Sequence, residues 1–198
     1  MAAELDLVVQ AAGRVSKSSS DFDLNPKADM PPNMKLRPAA VLIPVMETPA
    51  GLCLALTKRA ATLRHHPGQI AFPGGKVDQT DANPTAAALR EAEEEIGLSR
   101  DNVDVLTTLP PHQTVTGFSI TPVLGRVLTG FDPIPEPGEV AEVFQVPFRV
   151  VSRPENFSIQ SRVWRAKRRY YYTVPYGPYY IWGATARILR ALAEGMRA

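Results

Sequence analysis

Residues 72–98 read FPGGKVDQTDANPTAAALREAEEEIGL, and this stretch decides the fold. Its second half, Pro84 to Gly97, predicts the strongest helix in the chain. Proline suits the first helical turn, where its missing N–H costs nothing, and glycine suits the C-terminal cap. On a helix, residues three and four apart share a face. Glu91, Glu94 and Glu95 therefore project together, while Leu89, Ala92 and Ile96 project toward a core. The glutamates at 91, 93, 94 and 95 repel one another and crowd the negative end of the helix dipole. A helix that keeps them either solvates an acidic face or neutralises it with a cation. Clustered carboxylate oxygens suit the hard ions Mg²⁺ and Mn²⁺. Upstream, Phe72-Pro73-Gly74-Gly75 is a stiff turn followed by backbone that a ligand can approach closely. Lys76 follows the glycines, but Ile70 and Val77 stand where a P-loop needs glycine and Ser or Thr.

Outward from this stretch, residues 37–45 and 52–59 read as strands. Leu52, Leu54 and Leu56 alternate with Cys53, Ala55 and Thr57, so both faces of the second strand are expected to be covered. After the helix, VDVLTTLP, FSITPVLGRVL and EVFQVPF read as further strands, and SIQSRVWRAKRRYYYTV as a hairpin with a basic tip. A helix over about 183–196 closes the chain, with Ile188, Leu189, Leu192 and Met196 on one face. The pattern predicts an α+β fold, a mixed sheet flanked by helices in an α/β/α sandwich. Residues 1–35 read as a short helix (3–12) and a polar extended arm (16–35), and residues 36–198 as one domain.

Composition narrows the function classes. A chain of 198 residues with 44% apolar and 21% charged residues is ordinary globular material for one domain. A net charge of +2 is too small for a general nucleic-acid binder. The single cysteine, Cys53, excludes an intrachain disulfide and a cysteine zinc site. No apolar run approaches a membrane span, and Glu4 and Asp6 precede the first apolar run, the reverse of a signal peptide. The expectation is a soluble protein of a reducing compartment, the cytoplasm, with a small-molecule partner and neither membrane nor nucleic acid. The arm and the aromatic C-terminus offer surfaces on which a homodimer can form. The nineteen prolines argue against a helical bundle.

Gly75 to Leu98 resembles the Nudix box, the signature of hydrolases that cleave a nucleoside diphosphate linked to another group. Arg90, Glu91, Glu94, Glu95, Gly97 and Leu98 match its second half, with Ala92 at the aliphatic position, and Gly75 matches its first glycine. Asp81 stands where the pattern has glutamate, and the loop to Arg90 is one residue longer. A second resemblance is to the coenzyme A pyrophosphatase branch, which carries a motif before the box. Leu56-Thr57-Lys58-Arg59, Ala60, Arg64, Gly68 and Phe72-Pro73-Gly74-Gly75 fit its spacings, and Tyr180 to Ala186 is similar to that branch as well.

The resemblance implies a Nudix fold and Mg²⁺- or Mn²⁺-dependent hydrolysis of coenzyme A to 3′,5′-ADP and 4′-phosphopantetheine. It implies Glu91, Glu94 and Glu95 as metal ligands, with Arg90 supporting a box carboxylate. Glu93 is the free position and is expected to face solvent. The general base is open: Glu94 in the box, or Glu139 or Glu142 in a loop. Arg59 and Arg64 are the candidates for clamping phosphate, with Gly74 and Gly75 lining the substrate. His65 and His66 adjoin Arg64. The tip Arg165-Lys167-Arg168-Arg169, with Trp164 and Tyr170, is either a solvated hairpin or a phosphate contact. The same box serves hydrolases of NADH and ADP-ribose, and an inactive nucleotide-binding module is the alternative of another class.

Overall fold

The computed structural model describes residues 2–25, 35–164 and 167–197. Residues 26–34 of the expected arm and Arg165 of the hairpin tip lie outside the described residues.

The strand pair that opens the core is β2 (Arg37–Thr48) and β3 (Gly51–Arg59), antiparallel around a tight turn. Their alternation splits as the period of two requires. From β3, Leu52, Leu54 and Leu56 enter one buried cluster, with Ile43 and Val45 of β2. Cys53 and Ala55 enter the other, with Ala40 and Leu42. The first cluster is closed by α1 (Ala2–Arg14), through Leu5 and Val8, and by α4 (Gly183–Gly195), through Ile188, Leu189 and Leu192. The second is closed by α2 (Pro84–Ile96), through Ala88, Ala92 and Ile96. Both faces are therefore covered, as β3 predicts. Burying a side chain such as Ile96 contributes about 1.5–3 kcal/mol. The cysteine is a buried thiol whose pKa burial pushes up.

The remaining strands are β1 (Ser19–Ser20), β4 (Ile70–Ala71), β5 (Gly74–Lys76), β6 (Val103–Thr108), β7 (His112–Gln113), β8 (Phe118–Val127) and β9 (Val140–Pro147). Among the described residues nine strands join in one mixed sheet. β8 runs parallel to β2 along residues 37–45, and this fills one edge of β2. The other edge is divided: β5 pairs with residues 39–41 and β3 with residues 45–48. β9 then pairs with the free side of β3. A short helix, α3 (Phe148–Val151), leads to a separate three-stranded sheet of β10 (Ser158–Trp164), β11 (Lys167–Tyr176) and β12 (Tyr179–Trp182).

Residues 19–25, read from the sequence as polar arm, are docked. β1 pairs with β7, and the fully buried His112 ring bonds Ser19 Oγ at 2.9 Å through Nδ1 and Asp21 Oδ1 at 3.2 Å through Nε2. The polar residues of this segment satisfy one another, so their polarity did not signal exposure. Asn25 is likewise buried, donating to the Tyr170 carbonyl at 2.8 Å.

Helices α1 and α4 touch through small residues. A Cβ on Gly195 would overlap the Ala11 carbonyl, whereas one on Gly13 would meet nothing. Gly195→Ala should therefore cost about 1–3 kcal/mol of stability. Gly13→Ala should raise stability by up to about 1 kcal/mol. Urea denaturation of the two variants checks both signs.

Candidate active site

Helix α2 is fixed at both ends by its own sequence. Asn83 caps it, its Oδ1 accepting the Ala86 N–H at 2.9 Å, and Pro84 follows at the first helical position. At the other end Gly97 adopts φ 70° and its N–H donates to the Glu93 carbonyl. The last carbonyls find partners in a distant loop: Ile134 N–H donates to Ile96 O at 3.0 Å and Glu136 N–H to Glu95 O at 2.9 Å. The loop before β9 is thus hung from the C-terminus of the acidic helix.

Glu95 is the buried acid of the group, 4% exposed. Its Oε2 accepts the Gly74 N–H at 3.0 Å, and its Oε1 lies 3.8 Å from Arg59 Nη1. Burial outweighs both contacts and pushes its pKa up to about 7. Glu91 is half-buried one turn earlier, and burial raises its pKa as well, against the pull of Arg90. Its carboxylate fills the space where Gly75 would carry a Cβ. A Cβ on Gly74 would overlap the Ala40 carbonyl of β2. The two glycines thus let β5 pass between β2 and the helix acids, and this is why the turn needs both.

Arg90 organises the helix surface. It forks onto Asp81, Nε to Oδ1 at 3.0 Å and Nη2 to Oδ2 at 2.9 Å. Nη1 donates to Glu91 Oε1 at 3.1 Å and Glu94 Oε2 at 2.9 Å, and Nη2 to the Lys76 carbonyl at 3.2 Å. Asp81 is held below the ordinary carboxylate range, first by this hydrogen bond. The aspartate at the variant box position thus grips the arginine that orients Glu91 and Glu94. That role was not read from the sequence, although an acid nine residues before an arginine across a tight loop is its only signal.

The structure separates the two loop acids. Glu139 lies close enough to Glu91 and Glu95 to raise both their pKa values by repulsion. Its carbonyl accepts the Ala60 N–H at 2.8 Å, next to Arg59. Glu142 instead stands opposite Lys58 in the β3–β9 ladder and accepts a hydrogen bond from the Tyr179 hydroxyl. Arg59 joins the acidic face through Glu95, whereas Arg64, His65 and His66 are exposed on the loop 60–68. Glu93 is exposed and pairs with Arg100 at 2.8 Å. Lys167 and Arg168 of the hairpin are exposed.

Among the described residues, no three acid or histidine side chains stand in a ready metal-ligating arrangement. Arg90 and Arg59 lie against the carboxylates instead. The donor set nevertheless fits a hard divalent ion: two carboxylates with raised pKa, a third beside them, and oxygen atoms throughout. A cation held there would supply the neutralisation that Arg59 alone leaves incomplete at Glu95.

A carboxyl raised in the fold favours the folded state below its unfolded pKa, near 4.5, and loses that contribution as pH rises through about 7. Without divalent cations, Glu95→Gln should therefore gain on the wild type between pH 5 and pH 8, by about 2–3 kcal/mol. Urea denaturation in chelator at the two pH values reads the difference, and parallel pH profiles contradict it. Gly75→Ala should displace Glu91 and weaken Mn²⁺ binding by about tenfold or more, as measured by calorimetry.

Comparison with known proteins agrees with this geometry. The NUDIX domain matches residues 35–167. Nudix hydrolase NudL of Cronobacter sakazakii is 45% identical over 161 residues, covering 81% of this chain and 83% of its own length. The NudL protein of an Enterobacter species is 44% identical over 167 residues, covering 79% and 81%. Among solved structures, the Nudix hydrolase RenU of M. smegmatis is similar with a TM-score of 0.50 and 28% identity, over 59% of this chain and 73% of that one. Nudix hydrolases generally use divalent metals such as Mg²⁺ or Mn²⁺ and act on small-molecule nucleoside diphosphate derivatives. The matched segment contains both the glycine turn and the acidic helix, and the chain belongs to the Nudix hydrolase family.

Proposed function

We propose that the protein hydrolyses the pyrophosphate of coenzyme A or a derivative, yielding 3′,5′-ADP and 4′-phosphopantetheine or its acyl form. The observation that carries this reading is where the motif preceding the box ends up. Arg59, at its start, pairs with Glu95, and Gly74 and Gly75, at its end, abut Glu95 and Glu91. A motif that resembles the coenzyme A branch is thus built into the same site as the acidic helix.

In this reading Glu91, Glu94 and Glu95 hold Mg²⁺ or Mn²⁺. When bound, the ion supplies neutralisation of the pyrophosphate and activation of the attacking water. Arg90 is a positioning residue: its fork on Asp81 fixes the donors that hold Glu91 and Glu94. Arg59 and Arg64 bind phosphate oxygens, where a planar fork of donors is better than an ammonium. Glu139 accepts the proton as water oxygen bonds to phosphorus and the anhydride oxygen leaves. Its proximity to Glu91 and Glu95 favours it over Glu142, which is committed to Tyr179. In this reading the enzyme is soluble and cytoplasmic, and two copies can pair. No helix among the described residues is long and apolar enough to cross a membrane.

A substrate panel tests the reading. Coenzyme A, acetyl-coenzyme A, NADH, ADP-ribose and a nucleoside triphosphate are incubated with Mg²⁺ or Mn²⁺ and the products read by mass spectrometry. The expected result is 3′,5′-ADP from coenzyme A, reduced about a hundredfold or more in Glu95→Gln. Cleavage confined to NADH or ADP-ribose overturns the substrate assignment. Glu139→Gln should lower kcat by about a hundredfold or more with KM little changed, whereas Glu142→Gln should not.

A further inference from the structure

The end of β3 turns neighbouring cations to opposite faces. Arg59 reaches Glu95, and Lys58 looks the other way, into a groove of about 370 Å³ between the two sheets. The groove is lined by Lys58, Gly68, Gln69, Arg162, Tyr180 and Trp182 among others. Its volume falls within the roughly 300–1,000 Å³ of small-molecule sites. The Arg162 guanidinium lies 4.7 Å from the centroid of the Trp182 ring. Tyr171 meets the same ring edge-on at 5.0 Å, and its hydroxyl lies 3.4 Å from that of Tyr180. One wall is tied to the acidic face by backbone: Gly68 N–H donates to the Arg59 carbonyl at 3.2 Å and Arg59 N–H to the Gln69 carbonyl at 2.9 Å. Glu142, opposite Lys58 in the ladder, is engaged by Tyr179.

A guanidinium against an aromatic ring, with a second cation lining the same groove, selects a particular chemistry. A guanidinium and an ammonium bind phosphate oxygens, and the faces of Trp and Tyr rings stack on a planar base. Neither feature suits an uncharged flexible chain. We propose that this groove binds the phosphate-bearing nucleoside half of the substrate while its pyrophosphate lies at the acidic face, with Arg162 and Lys58 reading the additional phosphate. The assignment rests on the coenzyme A reading above and deepens it, because it assigns the nucleoside half and the pyrophosphate of that substrate to opposite sides of Arg59.

The test compares coenzyme A with 3′-dephospho-coenzyme A in the full chain, for the wild type, Arg162→Ala and Lys58→Ala. Both side chains are exposed, so the variants keep the core intact. The wild type should prefer coenzyme A by about tenfold or more in kcat/KM, the scale of one or two charge-assisted hydrogen bonds. In each variant the preference should fall toward one, mainly through KM. Inhibition by 3′,5′-ADP should weaken toward that of 5′-AMP in parallel. Hydrolysis of coenzyme A with an unchanged preference in both variants overturns the groove assignment alone. Failure of the wild type to hydrolyse either compound overturns the substrate reading, and the groove assignment with it.

Discussion

The structure turns on a carboxylate that burial disfavours. Glu95 sits in the last turn of a helix, at the negative end of its dipole, beside other glutamates and almost out of reach of water. One backbone amide and one distant guanidinium do not make up the lost hydration, and the carboxyl holds its proton up to about 7. The surrounding architecture can be understood as what keeps that arrangement in place. The glycine turn brings an N–H to Glu95, and the loop before β9 covers the helix end. Arg90 ties down the neighbouring acids.

The sheet supplies the precision. Because one edge of β2 is shared between β5 and β3, the glycine turn can slide beneath α2 where a continuous strand would close the gap. Small residues on both sides make this approach possible: Ala87, Ala88 and Ala92 on the helix, Gly74 and Gly75 on the turn. The register shift between Lys58 and Arg59 lies where β3 leaves β9, at the strand end that presents Arg59 to the acids. The extra residue of this bulge is Ala141 of β9, next to the loop that carries Glu139. Here Arg59 and Lys58 serve different sides of one strand, and loop and groove meet at its end.

Much of this was legible in the sequence where a single period or cap governs the outcome. The alternation of Leu52, Leu54 and Leu56 with Cys53 and Ala55 gave the two-sided sheet, and the limits of α2 followed from Pro84 and Gly97. Helical spacing places Glu91, Glu94 and Glu95 within one turn, and the fold then buries Glu95 while leaving Glu94 exposed. What the sequence did not disclose depends on pairings across space. The Asp81–Arg90 fork requires the path of an irregular loop. Glu139 ends the loop before β9 and Glu142 lies within the strand, and only the fold shows which of them stands by the acidic helix. Ser19, Asp21 and His112 look like polar loop residues until they are found bonding one another in the interior. Strands of two or three residues, such as β1, β4 and β7, are too short to show a period.

Burial favours the protonated form of Glu95, and a divalent cation bound there would have to displace that proton. Isothermal titration of Mn²⁺ at pH 6.5, in buffers of different ionisation enthalpy, counts the protons released on binding. A carboxyl with a pKa near 7 should give up about three quarters of a proton per ion bound at that pH. The release should fall sharply in Glu95→Gln. Tight binding by the wild type with no proton released would contradict the account.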